Sequence, residues 1–121
     1  MTRYEDMKKM LAVVDDPVMR LEMVMDFGAH LDAVPESAQC HEIDGCASHV
    51  EICRCGNNFY ATADSAIVRG IAAIMVAMVD GHTAEEIRAM DIAGEFAGLH
   101  LNLGAGRLNG VNSMIRFLQN L

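Results

Sequence analysis

The stretch that decides the fold is Cys40-His41-Glu42-Ile43-Asp44-Gly45-Cys46-Ala47-Ser48-His49-Val50-Glu51-Ile52-Cys53-Arg54-Cys55-Gly56-Asn57. All four cysteines of the chain lie in it, with His41 and His49 of its five histidines. Val50 and Ile52 alternate with Glu51 and Cys53, the pattern of a strand with one buried face. Glu42, Ile43 and Asp44 predict a short strand running up to Gly45. Gly56-Asn57-Asn58 is a turn signal between two strand-like runs. After it, Phe59, Ala61 and Ala63 alternate with Tyr60 and Thr62 as a third strand. A small antiparallel sheet of about three strands follows.

Outward from this sheet the period changes to that of helices. Upstream, Met7, Met10, Leu11 and Val14 predict a helix over Met1–Val14. Asp16 reads as the N-cap of the next helix, with Pro17 at its first position. That helix is predicted to reach about Leu31, with Leu21, Met25 and Gly28 on one side. Ala33-Val34-Pro35-Glu36 reads as a loop. Downstream, Asp64 or Ser65 caps a helix whose residues Ile67, Val68, Ile71, Ile74, Met75, Met78 and Val79 leave almost no polar face, so it is the buried central helix. Gly81 is its C′ residue. Thr83 and Glu86 form a capping box that opens a short helix through Met90. Asp91 to Phe96 predicts another helical turn, and Gly98 to Gly106 is irregular. Arg107–Leu121 is an amphipathic helix with Val111, Met114, Ile115 and Leu118 inward. The fold class is α+β, over residues 1–121 as one domain.

The 121 residues are 52% hydrophobic but only 5% aromatic, so the core is aliphatic and rich in the ten methionines. Exposed methionines on the first two helices would allow a homodimer. The formal net charge of −8 argues against a nucleic-acid partner, which would need clustered Lys and Arg. The longest apolar run, Ile71 to Val79, is too short for a membrane span. Met1 to Lys9 is polar and lacks an apolar signal core, so the expected location is cytoplasmic. Thiols stay reduced there, and the four cysteines are expected to be catalytic, metal-binding or inert rather than disulfide-bonded.

Cys46 is the candidate for chemistry. Gly45 lets the chain bend and exposes the next side chain at a loop tip, and Ala47 and Ser48 leave access open. Glu42, Asp44 and Glu51 are expected to raise its thiol pKa, with His49 or Arg107 to counter them. The competing reading is a buried, inert cysteine. Cys53 and Cys55 share a strand face opposite Val50 and Ile52 and are expected to be partly exposed. A metal reading uses Cys40, Cys46, Cys53, Cys55, His41 and His49 as ligands for zinc or an iron–sulfur cluster, but the C-x5-C-x6-C-x-C spacing lacks paired C-x2-C knuckles. His30, His82 and His100 read as surface or capping residues.

Several segments together resemble the SufE-type cysteine desulfuration proteins, the Fe–S metabolism associated family. Met25–Leu31 with Val34-Pro35-Glu36 resembles the family's helix end and "leu-pro-glu" loop. Asp44-Gly45-Cys46-Ala47-Ser48-His49-Val50 is similar to its "gly-cys-x-ser-x-val" signature. Ala63–Gly70, Gly81–Ile87 and Arg107-Leu108-Asn109-Gly110-Val111 with Met114 match further segments in the same order. The sequence departs from the pattern at Glu51, where the family usually has tryptophan, at Ala63 for serine, and at Asn102 and Gly104. The resemblance implies a small sheet against helices, shared with the IscU-like scaffolds. It implies that Cys46 accepts sulfur from a pyridoxal-phosphate (PLP)-dependent cysteine desulfurase and passes it to an Fe–S scaffold or another sulfur acceptor. The PLP belongs to that partner, and no cofactor is expected on this chain, which would stimulate the desulfurase rather than act as a stand-alone enzyme. Arg107 and Asp64 would shape the loop; their plain alternatives are a surface charge and a helix cap. Two other readings stay open: a metal- or cluster-binding module built on Cys40, Cys53, Cys55 and His49, and a regulatory desulfurase-binding partner that transfers no sulfur.

Overall fold

The computed structural model describes residues 3–121. Its elements in chain order are α1 (Arg3–Ala12), α2 (Pro17–Ala29), β1 (Gln39–Glu42), β2 (Val50–Cys55), β3 (Asn58–Ala63), α3 (Ala66–Val79), α4 (Ala84–Ala89), α5 (Ile92–Ala97) and α6 (Ala105–Gln119). This is the expected α+β arrangement. The start of the first predicted helix, Met1 and Thr2, lies outside the described residues. No helix among the described residues is long and apolar enough to cross a membrane.

The helix boundaries follow from local chemistry. Asp16 caps α2 by accepting the Val18 backbone N–H at 2.9 Å, with Pro17 inside the first turn. Thr83 and Glu86 close the capping box of α4, and Asp91 caps α5 by accepting from the Gly94 N–H. Ser65, not Asp64, occupies the N-cap position of α3. Gly81 takes φ +82° just past the end of α3 and donates its N–H to Asn57 in the β2–β3 turn at 2.7 Å.

The strands pair antiparallel in the order β1-β2-β3. The register sets Val50 against Ala63, Ile52 against Ala61 and Arg54 against Phe59, so one face carries the buried side chains Val50, Ile52, Phe59, Ala61 and Ala63. That face lies on α3, whose Ile71, Ala72, Ile74, Met75 and Val79 are almost fully buried. The first strand ends at Glu42 rather than at Gly45, because Asp44 and Gly45 already turn.

On its other side α3 meets α2 backbone to backbone. A Cβ added at Gly28 would lie 2.6 Å from the Gly70 nitrogen, and one added at Gly70 would overlap the Val24 carbonyl oxygen. This close approach fixes the rotation of α2. Val24, Phe27 and Gly28 point inward, and Met25, which the sequence pattern set on the same side as Gly28, lies one residue and about 100° round from Val24 and is 37% exposed. Met10 and Met19 are also exposed, with Val13 and Val18. Arg20 ties the α1–α2 connection to the segment after α5: it donates to the carbonyl oxygens of Leu11, Val14 and Leu99.

Gly70→Ala should lower the free energy of unfolding by about 2–3 kcal/mol, the upper range for overpacking against rigid backbone. Urea denaturation would read this as a lower midpoint at unchanged slope.

Candidate functional site

The β1–β2 hairpin presents the loop that carries Cys46. Cys40 lies opposite Cys53, His41 opposite Ile52 and Glu42 opposite Glu51. The buried Ile43 donates its N–H to the Val50 carbonyl at 2.9 Å, which closes the ladder. The chain from Asp44 to His49 is therefore the hairpin connection, and Cys46 stands near its middle.

Two glycines seat this loop on α6. Gly45 has φ +85°, a left-handed conformation that side chains resist, and a Cβ there would lie 2.7 Å from Ser113 Oγ. Gly110 faces the thiol: a Cβ on it would lie 3.0 Å from Cys46 Sγ. The sulfur borders a cavity of about 30 Å³ lined by Ala47, Val68, Ile71, Gly106, Gly110 and Met114. Arg107 lines the same cavity while remaining exposed, and it makes no ion pair or hydrogen bond among the described residues.

Cys46 is free and half-buried rather than fully exposed at a loop tip. Burial pushes its thiol pKa up, because a thiolate is poorly solvated against apolar neighbours. The expected direction of the shift is met, but its cause is desolvation rather than the neighbouring carboxylates. Two of those carboxylates are turned to His49, with Nε2 3.3 Å from Glu51 and Nδ1 3.6 Å from Glu42. The hydrogen bond to Glu51 raises the His49 pKa above its ordinary 6.5, and Glu42, Glu51 and Asp64 add to the rise while slight burial opposes it. Asp64 acts on the loop through its backbone too, donating its N–H to the His49 carbonyl at 3.2 Å.

The other cysteines depart from the expectation of free thiols. Cys40 and Cys53 are joined by a disulfide across the two strands. The antiparallel register is the reason: it places their Cα atoms 4.0 Å apart. Cys53 is fully buried rather than partly exposed. Cys55 is free and half-buried, 3.4 Å from the Ser37 hydroxyl. The disulfide takes two of the thiols that a metal site would need, and no group of three or more His, Cys, Asp or Glu side chains among the described residues is placed to hold a metal ion. His41 is on the helix-facing side of β1, its ring 5.3 Å from that of Phe117 on α6.

The model of the SufE, Fe–S metabolism associated, domain matches residues 5–121. The chain belongs to this family. It is 33% identical to an uncharacterized SufE-like protein of Rhizobium meliloti over 96% of this chain and 91% of that one. The sulfur acceptor protein CsdE of Escherichia coli is 33% identical over 72% of this chain and 65% of its own length. A SufE-like protein of Arabidopsis thaliana, chloroplastic and mitochondrial, is 26% identical over 97% of this chain but 34% of its own. In fold, the chain resembles the solution structure of a hypothetical protein from Thermus thermophilus, with a TM-score of 0.73 over 97% of this chain and 90% of that one, at 13% identity.

The structure thus brings Cys46, Arg107, His49 and Asp64 to one loop and its supports, and leaves Cys55 on the outer sheet face. Sequence reasoning picked Gly45 as the bend before Cys46 but missed its contact with Ser113 and the role of Gly110 as a seat for the thiol. The signal was present at Gly110: a glycine inside an amphipathic helix costs about 1 kcal/mol, which marks a close approach.

Two outcomes test this geometry. The pH profile of Cys46 alkylation should inflect above that of an exposed cysteine, and Gly110→Ala, by displacing the sulfur toward solvent, should move the inflection back down. For His49, protonation is favoured in the folded state, so its contribution to stability is complete below pH 6.5 and fades as pH rises through the raised value. The stability gap between wild type and His49→Gln should be wide near about pH 5.5 and close toward about pH 8 or above.

Proposed function

We propose that this chain is a sulfur carrier, with Cys46 taking persulfide sulfur from a PLP-dependent cysteine desulfurase and passing it on for iron–sulfur cluster assembly. The observation that carries this reading is a free thiol, at the middle of a hairpin loop, against a small apolar cavity in a chain of the SufE family. The relative named as a sulfur acceptor supports it.

The chemistry is thiol–disulfide exchange with one different leaving group. Cys46 Sγ, as thiolate, attacks the outer sulfur of the desulfurase persulfide. The S–S bond of the donor breaks, and its cysteine leaves as thiolate and takes up a proton. Cys46 then carries the persulfide, and no electrons are gained or lost overall. The cavity of about 30 Å³ has room for roughly one further atom and is lined by carbon. A persulfide turned into it would be kept from oxidants. Arg107, exposed and unpaired beside the cavity, favours the thiolate at the moment of transfer. The desulfurase holds the PLP; this chain supplies the acceptor sulfur, the loop and the cavity.

Incubation with a cysteine desulfurase and L-cysteine should add about 32 Da, one sulfur atom, to the intact mass, and peptide mapping should place it on Cys46. Cys46→Ser should abolish both the added mass and any stimulation of the desulfurase. Arg107→Ala should slow loading roughly three- to tenfold, the effect of one partly screened charge on a thiolate. Stimulation that survives in Cys46→Ser would instead identify a regulatory partner. Sulfur found on Cys55 would move the acceptor site to the outer sheet face.

A further inference from the structure

The Cys40–Cys53 bond lies outside the loop that carries Cys46 yet encloses it. The two residues are thirteen apart in sequence, on either side of the β1–β2 connection. β1 is an edge strand in which all four residues are exposed. Among the described residues its attachments include its ladder to β2, the ring contact of His41 with Phe117, the exposed Glu42–His49 contact and the disulfide. The chain leaves β1 through Ile43 directly into Asp44, Gly45 and Cys46. A cross-link at this place ties together the two strands that frame the presenting loop, and that loop lies within the segment it closes.

The bond is also asymmetric. Cys40 is exposed and Cys53 is fully buried. A thiolate from solvent can therefore reach the Cys40 sulfur, with Cys53 as the leaving group. Exposed disulfides are the reducible, regulatory ones. Cys55 does not compete for the bond. It shares a face with Cys53, but it lies diagonally from Cys40, at the ~7–8 Å Cα spacing of such neighbours, where bridging would need backbone movement. The register keeps Cys40 and Cys53 facing one another, so the pair can re-form after reduction.

We propose that Cys40–Cys53 is a reversible thiol–disulfide site for a dithiol reductant, and that its state sets how firmly the Cys46 loop is held on α6. One thiolate of the dithiol attacks Cys40 Sγ. The Cys40–Cys53 bond breaks, and Cys53 leaves as thiolate and is protonated. The second thiol of the reductant then attacks its own sulfur in the mixed disulfide, releasing Cys40 and closing the reductant into a disulfide. Two electrons pass from the dithiol to the cystine. With the bond formed, the thiol of Cys46 stays against its cavity; with it broken, β1 and the loop open more often. The consequence for sulfur transfer rests on the acceptor reading of Cys46, but the switch itself does not.

The test uses the full chain, oxidised by glutathione disulfide or reduced by dithiothreitol. Two maleimides should add to the unfolded oxidised chain, at Cys46 and Cys55, and four after reduction. In the folded protein, alkylation of Cys46 should accelerate at least about tenfold on reduction, together with hydrogen exchange at the β1 amides. Cys40→Ser/Cys53→Ser should alkylate at the fast rate whatever the redox state; if that variant does not fold, the two states of the wild type decide alone. Failure of the bond to form under glutathione disulfide, or Cys46 rates equal within twofold in the two states, would overturn the proposal. Sulfur loading is read in parallel samples of the two states after the dithiothreitol has been removed, because a dithiol strips persulfide sulfur. Equal rates with Cys46 loaded sink the switch and spare the carrier, whereas a rate difference with no loading does the reverse.

Discussion

Helix α3 has no solvent face for most of its length, and the rest of the chain is arranged to cover it. Ile71, Ile74, Met75 and Val79 are essentially inaccessible, and burying each such side chain is worth about 1.5–3 kcal/mol. The sheet takes one side, α2 the opposite side through the Gly28–Gly70 contact, and α1 and α6 also pack against it. The seat of the Cys46 loop is a by-product of this packing. Ile71 of α3 and Met114 of α6 belong to the core and also line the Cys46 cavity. The cavity is thus the edge of the core, and the half-buried thiol beside it has apolar neighbours on one side and solvent on the other.

That placement sets two requirements against each other. Apolar neighbours shield a sulfur, but they also disfavour its thiolate, and a neutral thiol is a poor nucleophile. The chain does not resolve the conflict by moving the thiol to the surface. Around a half-buried sulfur it places noncovalent restraints that are individually weak. The His49 pairs with Glu42 and Glu51 are exposed, and such pairs are worth about 0–1 kcal/mol. A single backbone hydrogen bond joins Asp64 to the loop at His49. Gly45 and Gly110 allow close contact without adding side chains that would have to be displaced. Lifting the loop off α6 therefore disturbs little of the core, and Arg107 lies at the exposed side of the cavity.

Much of this was legible in the sequence wherever a local rule decided the outcome. The capping box at Thr83 and Glu86, the proline start of α2, the alternation of Phe59, Ala61 and Ala63, and the all-apolar α3 are such cases, and each forms where expected. Cys46 was legible as the centre of the site from its glycine and from the resemblance. What was not legible depends on contacts between distant segments. Met25 fits a helical stripe as well as Val24 does, and only the backbone contact at Gly70 decides which of them is buried. The disulfide was missed because cell-compartment reasoning took precedence over geometry: Cys40 and Cys53 face one another only once Ile43 is paired with Val50. Half-burial of Cys46 required knowing that Gly110, more than sixty residues along the chain, would lie against it.

The outer face of the sheet shows how a departure from the family pattern is accommodated. Glu51 stands where that pattern has a tryptophan. A tryptophan there would cover its strand neighbours with apolar surface, whereas a glutamate covers almost nothing. In this chain Glu51 instead meets His49 and lies 3.5 Å from the Thr62 hydroxyl, and its neighbour along the strand face, Cys53, is bonded covalently to β1. Apolar cover contributes steadily across pH and redox conditions. An imidazolium–carboxylate pair depends on pH and a disulfide on available thiols. Both of these conditional contacts flank the connection that carries Cys46, on the hairpin that holds it, and neither reaches α3. Losing either one therefore changes the freedom of the loop before it changes the stability of the core.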